Sequence, residues 1–257
     1  MNILVLGDIV SQQGCSFVRQ KLPAFKKLKA IDFRIANGEN SATGNGITPQ
    51  PAEYLFSSGI DFITTGNHVY RRKEVYDMLD ENEFIIRPCN FPDSNPGKGT
   101  ALIDMGKNSV GVINIMGTMF MENLENPFHA IDKALKELEG KTNIILVDFH
   151  AETTSEKQAL AFYLDGRVSA VFGTHTHVLT ADERVLPEGT GYITDIGMCG
   201  VKNSVLGVDK DIVIQKFRTG MPCRFDSANG KCMINGCIFT IDDKTGRCMS
   251  AERVSIE

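Results

Sequence analysis

The residues best suited to chemistry in this chain are two histidines one position apart, His175 and His177. They follow the apolar run 168–172, which is typical of a buried strand. Both imidazoles can face one pocket only if the backbone leaves the regular pleat, and Gly173 makes that departure easy. Imidazole is the commonest metal ligand among side chains. The pair therefore indicates a metal site at the end of a strand.

Other candidate ligands also stand where short apolar runs end, and such positions meet in one crevice at the carboxyl ends of the strands of an open α/β sheet. Each position alone is weak evidence, but packing does not explain their joint occurrence. The fifth histidine, His129, lies inside a predicted helix and is interpreted as structural. The set holds two carboxylates, two carboxamides and four imidazoles: Asp8, Glu39, Asn40, Asn67, His68, His150, His175 and His177.

This set is too large for one tetrahedral zinc ion, and it contains no thiolate. Mixed oxygen and nitrogen ligands suit two octahedral-like divalent ions, such as Mn, Fe, Co or Zn. Glu39 lies near the middle of the set in chain order. Since a carboxylate has two oxygens, Glu39 could bridge the two ions.

Apolar runs alternate with helix signals along the first half of the chain, which favours a parallel sheet covered on both faces. A predicted hairpin, 101–104 with 109–115, then turns the sheet antiparallel. The strands are predicted at 2–7, 31–36, 60–64 and 84–86, and the helices at 16–28 (with a break or kink at Pro23), from 48 onward and at 71–80.

The second half continues the alternation and ends in strands. No internal repeat, low-complexity tract or linker interrupts it, so we expect a single domain over residues 1–257. Helices are predicted at 126–138, 155–164 and 209–217, strands at 144–149, 168–172 and 191–194, and three antiparallel strands from Cys223 onward, with turns at 229–230 and 242–246.

Composition and charge exclude several classes of protein. A net charge of −5 gives no sign of broad binding to nucleic acids or anionic membranes. We expect no signal peptide, because the N-terminal residues have no basic region or cleavage site. No apolar run approaches the roughly 18 residues that a membrane span requires. Its seven cysteines are odd in number and show no C-x-x-C spacing. We therefore expect reduced thiols and a cytoplasmic location.

The motifs occur in an order that resembles the calcineurin-like metallophosphoesterases, and more closely their YmdB-like branch of bacterial cyclic-nucleotide phosphodiesterases. The resemblance spans residues 1 to about 207. It implies an α/β (α+β) sandwich, with central mixed β-sheet layers flanked by helices. The matching motifs are Gly7-Asp8, Asn37-Gly38-Glu39-Asn40, Gly66-Asn67-His68, Phe149-His150-Ala151-Glu152 and Gly173-Thr174-His175-Thr176-His177.

Two departures from the wider superfamily point to the YmdB-like branch, which shares both. Val10 stands where the superfamily has the histidine of its first motif, and Glu39-Asn40 replaces the aspartate of its second. The resemblance implies one metal held by Asp8, Glu39, Asn40 and His177, with Asn40 in place of the missing imidazole. It implies a second metal held by Glu39, Asn67, His150 and His175. The implied ions are Fe or Mn, with Zn, Co or Mg as alternatives.

The function implied is hydrolysis of a phosphodiester, a cyclic nucleotide of the 2′,3′ or 3′,5′ kind. A hydroxide between two ions roughly 3.5–4 Å apart would attack phosphorus. His68 directly follows a ligand but is not one itself, so it is the candidate general acid. Among nearby residues, Thr174 and Thr176 are interpreted as filling space. Asp148, Glu152 and Asp195 are alternatives for orienting the imidazoles.

Three other functions remain open. A phosphomonoesterase or nucleotidase would use the same metal centre, and a metal-binding regulatory protein could retain it without turnover. A (β/α)₈ amidohydrolase also carries His-x-His after a strand. That pair is expected on the first strand, however, and the hairpin near Gly106 disfavours an all-parallel barrel. The expected partner is a small phosphodiester, with a homo-oligomer possible.

Overall fold

Two β-sheets form the framework of the chain, in a computed structural model that describes residues 1–257. The strands are β1 (Asn2–Leu6), β2 (Asp8–Ile9), β3 (Phe33–Asn37), β4 (Phe62–Thr64), β5 (Thr100–Asp104), β6 (Ser109–Met116), β7 (Ile144–His150), β8 (Ala170–Thr174), β9 (Arg184–Val185), β10 (Gly191–Ile193), β11 (Met198–Val201), β12 (Cys232–Ile241) and β13 (Cys248–Ile256). The helices are α1 (Ser11–Leu28), α2 (Pro49–Ser57), α3 (Tyr76–Glu81), α4 (Pro127–Leu138), α5 (Thr154–Tyr163) and α6 (Lys210–Thr219), with a 3₁₀ turn at Lys73–Val75.

Both sheets are mixed, and each contains a parallel block. The first runs β2-β11-β12-β1-β3-β4, with β13 on the other edge of β12 and with β1, β3 and β4 parallel. The second runs β5-β6-β7-β8-β10-β9, with β6, β7, β8 and β10 parallel. The carboxyl ends of each parallel block therefore lie along one edge of its sheet.

The sheets pack face to face and the helices cover their outer sides. Side chains alternate between the two faces of each strand, so β6 presents Val110 and Val112 to the other sheet but Ile113 and Ile115 to α4. Helices α1 to α3 cover the first sheet, and α4 and α5 cover the second. The layers are thus helix, sheet, sheet and helix, which confirms the expected mixed sheets flanked by helices.

Several elements differ from the sequence-based expectations. Helix α1 begins at Ser11 and runs unbroken through Pro23. The first turns of α1 pack directly against β11, and this contact requires glycine at position 14. A Cβ there would lie 2.3 Å from the Cys199 carbonyl oxygen of β11. The run 84–86 contributes only an isolated bridge, between Ile63 and Ile85.

The C-terminal region holds two long antiparallel strands, β12 and β13, and not three. Residues 220–227 are exposed, so no burial stabilises a strand there, and Pro222 has no N–H to donate to a neighbour. Strand β11 was not predicted. Among the helices, none combines the length and the apolar character needed to cross a lipid bilayer.

The core between the sheets yields a stability prediction. Phe172 of β8 is 1% exposed, and its ring centroid lies 6.4 Å from that of Phe239 on β12. We expect Phe172→Ala to lower the free energy of unfolding by about 3–5 kcal/mol, because it leaves a cavity between the sheets. Urea denaturation of the purified variant measures this change.

Phe217→Ala is the matched control, because Phe217 is 82% exposed. It should change the unfolding free energy by no more than about 0.5 kcal/mol. Equal effects of the two substitutions would contradict the placement of Phe172 at the interface of the sheets.

Candidate metal centre

The predicted ligands meet where the parallel strands of both sheets end. Asp8 begins β2, and Glu39 and Asn40 follow β3. His150 is the last residue of β7, and the two-histidine loop follows β8. Asn67 and His68 lie beyond the end of β4. Asp8, Glu39 and His150 are almost completely buried. A cleft of about 490 Å³ is lined by Glu39, Asn40, His68, His175 and His177.

One donor group surrounds the His150 ring. Nε2 of His150 lies 3.3 Å from Glu39 Oε1, 3.0 Å from Asn67 Oδ1 and 3.1 Å from His175 Nδ1. The ligand atoms of Glu39, His150 and His175 all lie within 4.8 Å of one another. These four residues are the set that the family resemblance implies for one metal.

A second donor group surrounds the Asn40 amide. Its Nδ2 lies 3.1 Å from Glu39 Oε1, 3.4 Å from Asp8 Oδ1 and 3.4 Å from His177 Nε2. The His177 Nε2 to Asp8 Oδ1 distance is 3.5 Å. The amide nitrogen thus donates hydrogen bonds to two carboxylates. Rotating the amide by 180° would place Oδ1 there and complete a set of four acceptors.

The two groups share Glu39, and its charge is maintained by its neighbours. Burial alone would raise the pKa of Glu39, but the adjacent His150 and His68 hold that pKa well below its usual range. Burial would lower the pKa of His150, yet Glu39 and Asp8 raise it to about 9. Burial and the charge of His150 lower the pKa of His175 to about 4. The site therefore has charged carboxylates and at least one neutral imidazole.

Hydrogen bonds orient the ligand nitrogens of His150 and His177. Thr174 Oγ1 donates its only proton to Asp148 Oδ1 at 2.6 Å, so it accepts from His150 Nδ1 at 2.8 Å. His177 Nδ1 donates to the Leu206 carbonyl oxygen at 3.1 Å. In both rings Nε2 is thereby directed at the carboxylates. Such supporting bonds are typical of metal-bound histidines, and the donor set fits two cations that share Glu39.

Asp148 lies between the two sheets and supports the donor groups through hydrogen bonds. Its carboxylate is completely buried and accepts hydrogen bonds from Asn37 and Thr64 of the first sheet and from Thr174 of the second. Burial raises the pKa of Asp148 to about 6, and this effect outweighs the charge of His150, which lowers the same pKa. These bonds join the strand ends of both sheets at the level of the donors.

A buried ion pair holds the two-histidine loop. The Lys157 ammonium donates to Asp195 Oδ2 at 2.6 Å and to the Thr174 carbonyl oxygen at 2.8 Å. Asp195 Oδ2 also accepts from the backbone N–H and the hydroxyl of Thr176. Both flanking histidines have positive φ, +95° at His175 and +64° at His177. The expected departure from the pleat is confirmed, and this backbone costs of order 1–3 kcal/mol per residue.

Close packing also explains a glycine in the third motif. A Cβ on Gly66 would lie 2.3 Å from His150 Nε2 and 2.4 Å from Glu39 Oε2. Only glycine therefore lets the loop after β4 approach both donors. The next residues place the backbone N–H of His68 2.9 Å from Glu39 Oε2.

Several residues around the centre have roles that the sequence interpretation left open or missed. Thr174 and Thr176 do not merely fill space, since their hydroxyls bond Asp148, His150 and Asp195. Glu152 Oε2 lies 3.2 Å from His175 Nε2, so this carboxylate does contact an imidazole. Lys157 carried no local signal, because its surroundings come from distant segments. His129 is exposed on α4, outside the site.

Comparisons with known proteins show the family of this chain. The model of the YmdB-like protein family matches residues 4–254. The chain is 44% identical to the 2′,3′-cyclic-nucleotide 2′-phosphodiesterase of Bacillus subtilis, and the match covers 100% of this chain and 97% of that protein.

Two solved structures share the fold. A crystal structure described as a novel phosphatase from Mycoplasma pneumoniae has a TM-score of 0.93 at 32% identity, covering 100% of this chain and 93% of that one. A Staphylococcus aureus protein assigned as a 5′-nucleotidase has a TM-score of 0.62 at 14% identity, covering 99% of this chain and 54% of that one. The fold is thus that of the calcineurin-like metallophosphoesterases.

The hydroxyl of Thr174 can be tested by substitution. Thr174→Val removes the group that joins His150 to Asp148, so we expect affinity for Mn²⁺ to fall about 10- to 100-fold. Thr174→Ser keeps the hydroxyl and should stay within a few-fold of the wild type. Calorimetric titration with Mn²⁺ measures both, and an unchanged affinity in the valine variant would contradict the orienting role.

The buried ion pair yields a second prediction for this region. Lys157→Met leaves Asp195 buried and unpaired, so we expect the unfolding free energy to fall by about 3–5 kcal/mol. The control is Lys202→Met, because Lys202 and Glu257 form an exposed pair, with side chains 45% and 62% exposed. That variant should lose at most about 1 kcal/mol. Urea denaturation measures the loss in both variants. Similar losses would contradict a larger stabilising role for the buried pair.

Proposed function

We propose that this chain, which belongs to the YmdB-like protein family, hydrolyses cyclic nucleotides at a centre of two metal ions. The chain is a hydrolase of the phosphodiesterase class, as its relatives indicate. The finer proposal concerns the metals, the substrate and the role of His68. Its substrate class comes from the Bacillus subtilis relative, whose name specifies a 2′,3′-cyclic nucleotide.

The observation that carries the proposal is the sharing of Glu39 between two donor groups. Oε1 of Glu39 is within 3.3 Å of both the Asn40 amide nitrogen and His150 Nε2. We assign one ion to Asp8, Glu39, Asn40 and His177, and the other to Glu39, Asn67, His150 and His175. Fe or Mn suits this mixture of oxygen and nitrogen ligands. When bound, the ions would neutralise phosphate charge and activate a water molecule.

His68 is proposed as the general acid for the leaving oxygen. The ring borders the cleft, and its Nδ1 lies 2.9 Å from Asn40 Oδ1 and 3.3 Å from Glu39 Oε1. The acid role requires the imidazolium form of His68, in which both ring nitrogens carry a proton. Nδ1–H would then face Glu39 Oε1, and transfer of the Nε2 proton to the leaving oxygen would leave a neutral ring.

The cleft is suited to a small ester. Its walls combine the donors Asn40, His175 and His177 with His68 and the exposed Glu152. Hydrolysis of a phosphomonoester at the same centre is a second candidate, and the Mycoplasma pneumoniae structure described as a phosphatase favours it. Phosphodiesters and phosphomonoesters differ in their charge and in the number of ester bonds at phosphorus. Paired substrates therefore distinguish the two reactions.

The proposal predicts the behaviour of the His68→Ala variant. With Mn²⁺ supplied, we expect turnover of 2′,3′-cyclic AMP and of bis(p-nitrophenyl) phosphate to fall about 10²- to 10⁴-fold. Metal content should remain near two ions per chain, because His68 is not a ligand. Steady-state kinetics and elemental analysis measure the two quantities, with a chelator control and with p-nitrophenyl phosphate as the monoester.

His129→Ala is the matched control, since it removes a histidine outside the site and should leave turnover unchanged. Near-normal turnover by the His68 variant with both metals bound would refute the acid role. Turnover of the monoester alone by the wild type would favour the phosphatase, and two bound ions without any turnover would refute the hydrolytic proposal.

A further inference from the structure

Part of the cleft lining is apolar, and the polar donors line the same cleft. We call this part the apolar wall and define it as Leu206, Val208 and Phe225, which line the same 490 Å³ cleft as His68, His175 and His177. Phe225 is 42% exposed and Leu206 is 46% exposed. Hydrolysis at the donors makes no use of these side chains, so the wall is available for another part of the substrate.

Backbone hydrogen bonds hold the wall in place. The Asp209 N–H donates to the Asp226 carbonyl oxygen at 3.0 Å, and the Ala228 N–H donates to the Gly207 carbonyl oxygen at 2.9 Å. The segment of Phe225 is thereby attached to the segment of Leu206. Because the Leu206 carbonyl oxygen accepts from His177 Nδ1 at 3.1 Å, the wall is also attached to a proposed metal ligand.

The Phe225 ring contacts a cation and is partly exposed. The Lys216 ammonium of α6 lies over the ring, 4.4 Å from its centroid. This contact fixes the ring by a cation–π interaction. With 42% of the residue still accessible, the ring offers flat aromatic surface to the cleft.

Two polar groups on the cleft lining are free for hydrogen bonding. Asn45 has a φ of +73°, and its backbone carbonyl oxygen accepts from Arg72 Nε at 3.3 Å. Its carboxamide makes no hydrogen bond within the chain, although the residue lines the cleft and is exposed. The exposed Asp226 carboxylate lies 4.0 Å from Arg224 Nε, too far for a hydrogen bond. A flat ring on the wall could meet both groups at its edge.

We propose that the apolar wall binds the nucleobase of the substrate, with the base stacked on Phe225 and its edge near Asn45. This inference rests on the proposed function, because it assumes that the ester at the donors belongs to a nucleotide. Stacking tolerates any base, since each base has a π-face. The enzyme should therefore accept all four bases, with purines preferred because their rings cover more of the wall.

The test compares a substrate with a base and one without. For Phe225→Ala, kcat/KM on 2′,3′-cyclic AMP should fall roughly 5- to 150-fold, the range for loss of one stacked base. The loss should appear mainly in KM, because stacking contributes equally before and during the reaction. On ribose 2,3-cyclic phosphate, which has no base, the same variant should lose less than about twofold.

Two further variants sharpen the test. Phe225→Trp keeps an aromatic face and should retain most of the activity on 2′,3′-cyclic AMP. Phe217→Ala removes an exposed phenylalanine of α6 that does not line the cleft, and it should behave as the wild type. Equal losses by Phe225→Ala on both substrates, or no loss on either, would overturn the base-binding role.

Binding measurements separate this inference from the proposed function. If the wild type hydrolyses neither substrate, the proposed function fails, but calorimetric titration with AMP still tests whether the apolar wall binds a base. Weaker binding of AMP by Phe225→Ala than by the wild type would support base binding by the apolar wall. Equal binding by the two proteins, or no binding by either, would overturn it.

Discussion

The site depends on the hydrogen bonds that the buried carboxylate of Asp148 accepts. This carboxylate lies between the two sheets and accepts hydrogen bonds from residues of both. An unpaired carboxylate in such a place would be costly, so its partners must keep their positions. One of them, Thr174, passes this constraint to the His150 ring. The relative placement of the sheets therefore also sets the direction of a proposed metal ligand.

Strain at the two-histidine loop has a similar explanation. Positive φ at two non-glycine residues is unfavourable, and it persists only where surrounding contacts enforce it. Here the ion pair of Lys157 with Asp195 supplies those contacts, through the backbone and hydroxyl of Thr176. The loop turns both imidazoles toward the same crevice, which a regular strand could not do. Stability of the second sheet and geometry of the site are thus connected.

The fold brings two kinds of surface together in one crevice. The donors lie in or just after strands whose residues are all buried, namely β2, β3, β4, β7 and β8. The apolar wall comes from segments around α6 that lack regular strands, where side chains are exposed. The crevice is therefore divided between a buried centre and a more exposed wall.

Much of the fold was predictable from the sequence because its signals are local. Apolar runs marked nearly all strands of the parallel blocks, and the Asn126-Pro127 start of α4 was recognisable from its cap. The errors have physical causes. Strand β11 is short, and its partner β12 lies more than 30 residues away, so no hairpin signal announced it. The start of α1 depends on the contact of Gly14 with β11, which is also non-local.

For the site, the sequence by itself determined which residue types stand at the strand ends, since each follows a recognisable apolar run. Only the tertiary structure decided what lies next to them. From the sequence, Asp148 and Asp195 were only alternatives for orienting the imidazoles, and Lys157 gave no signal. Their roles arise from partners 17 to 111 positions away in the chain. The apolar wall likewise joins residues 206 and 225 to donors from the first strands. Such contacts depend on the packing of the two sheets, and a linear pattern carries no signal for them.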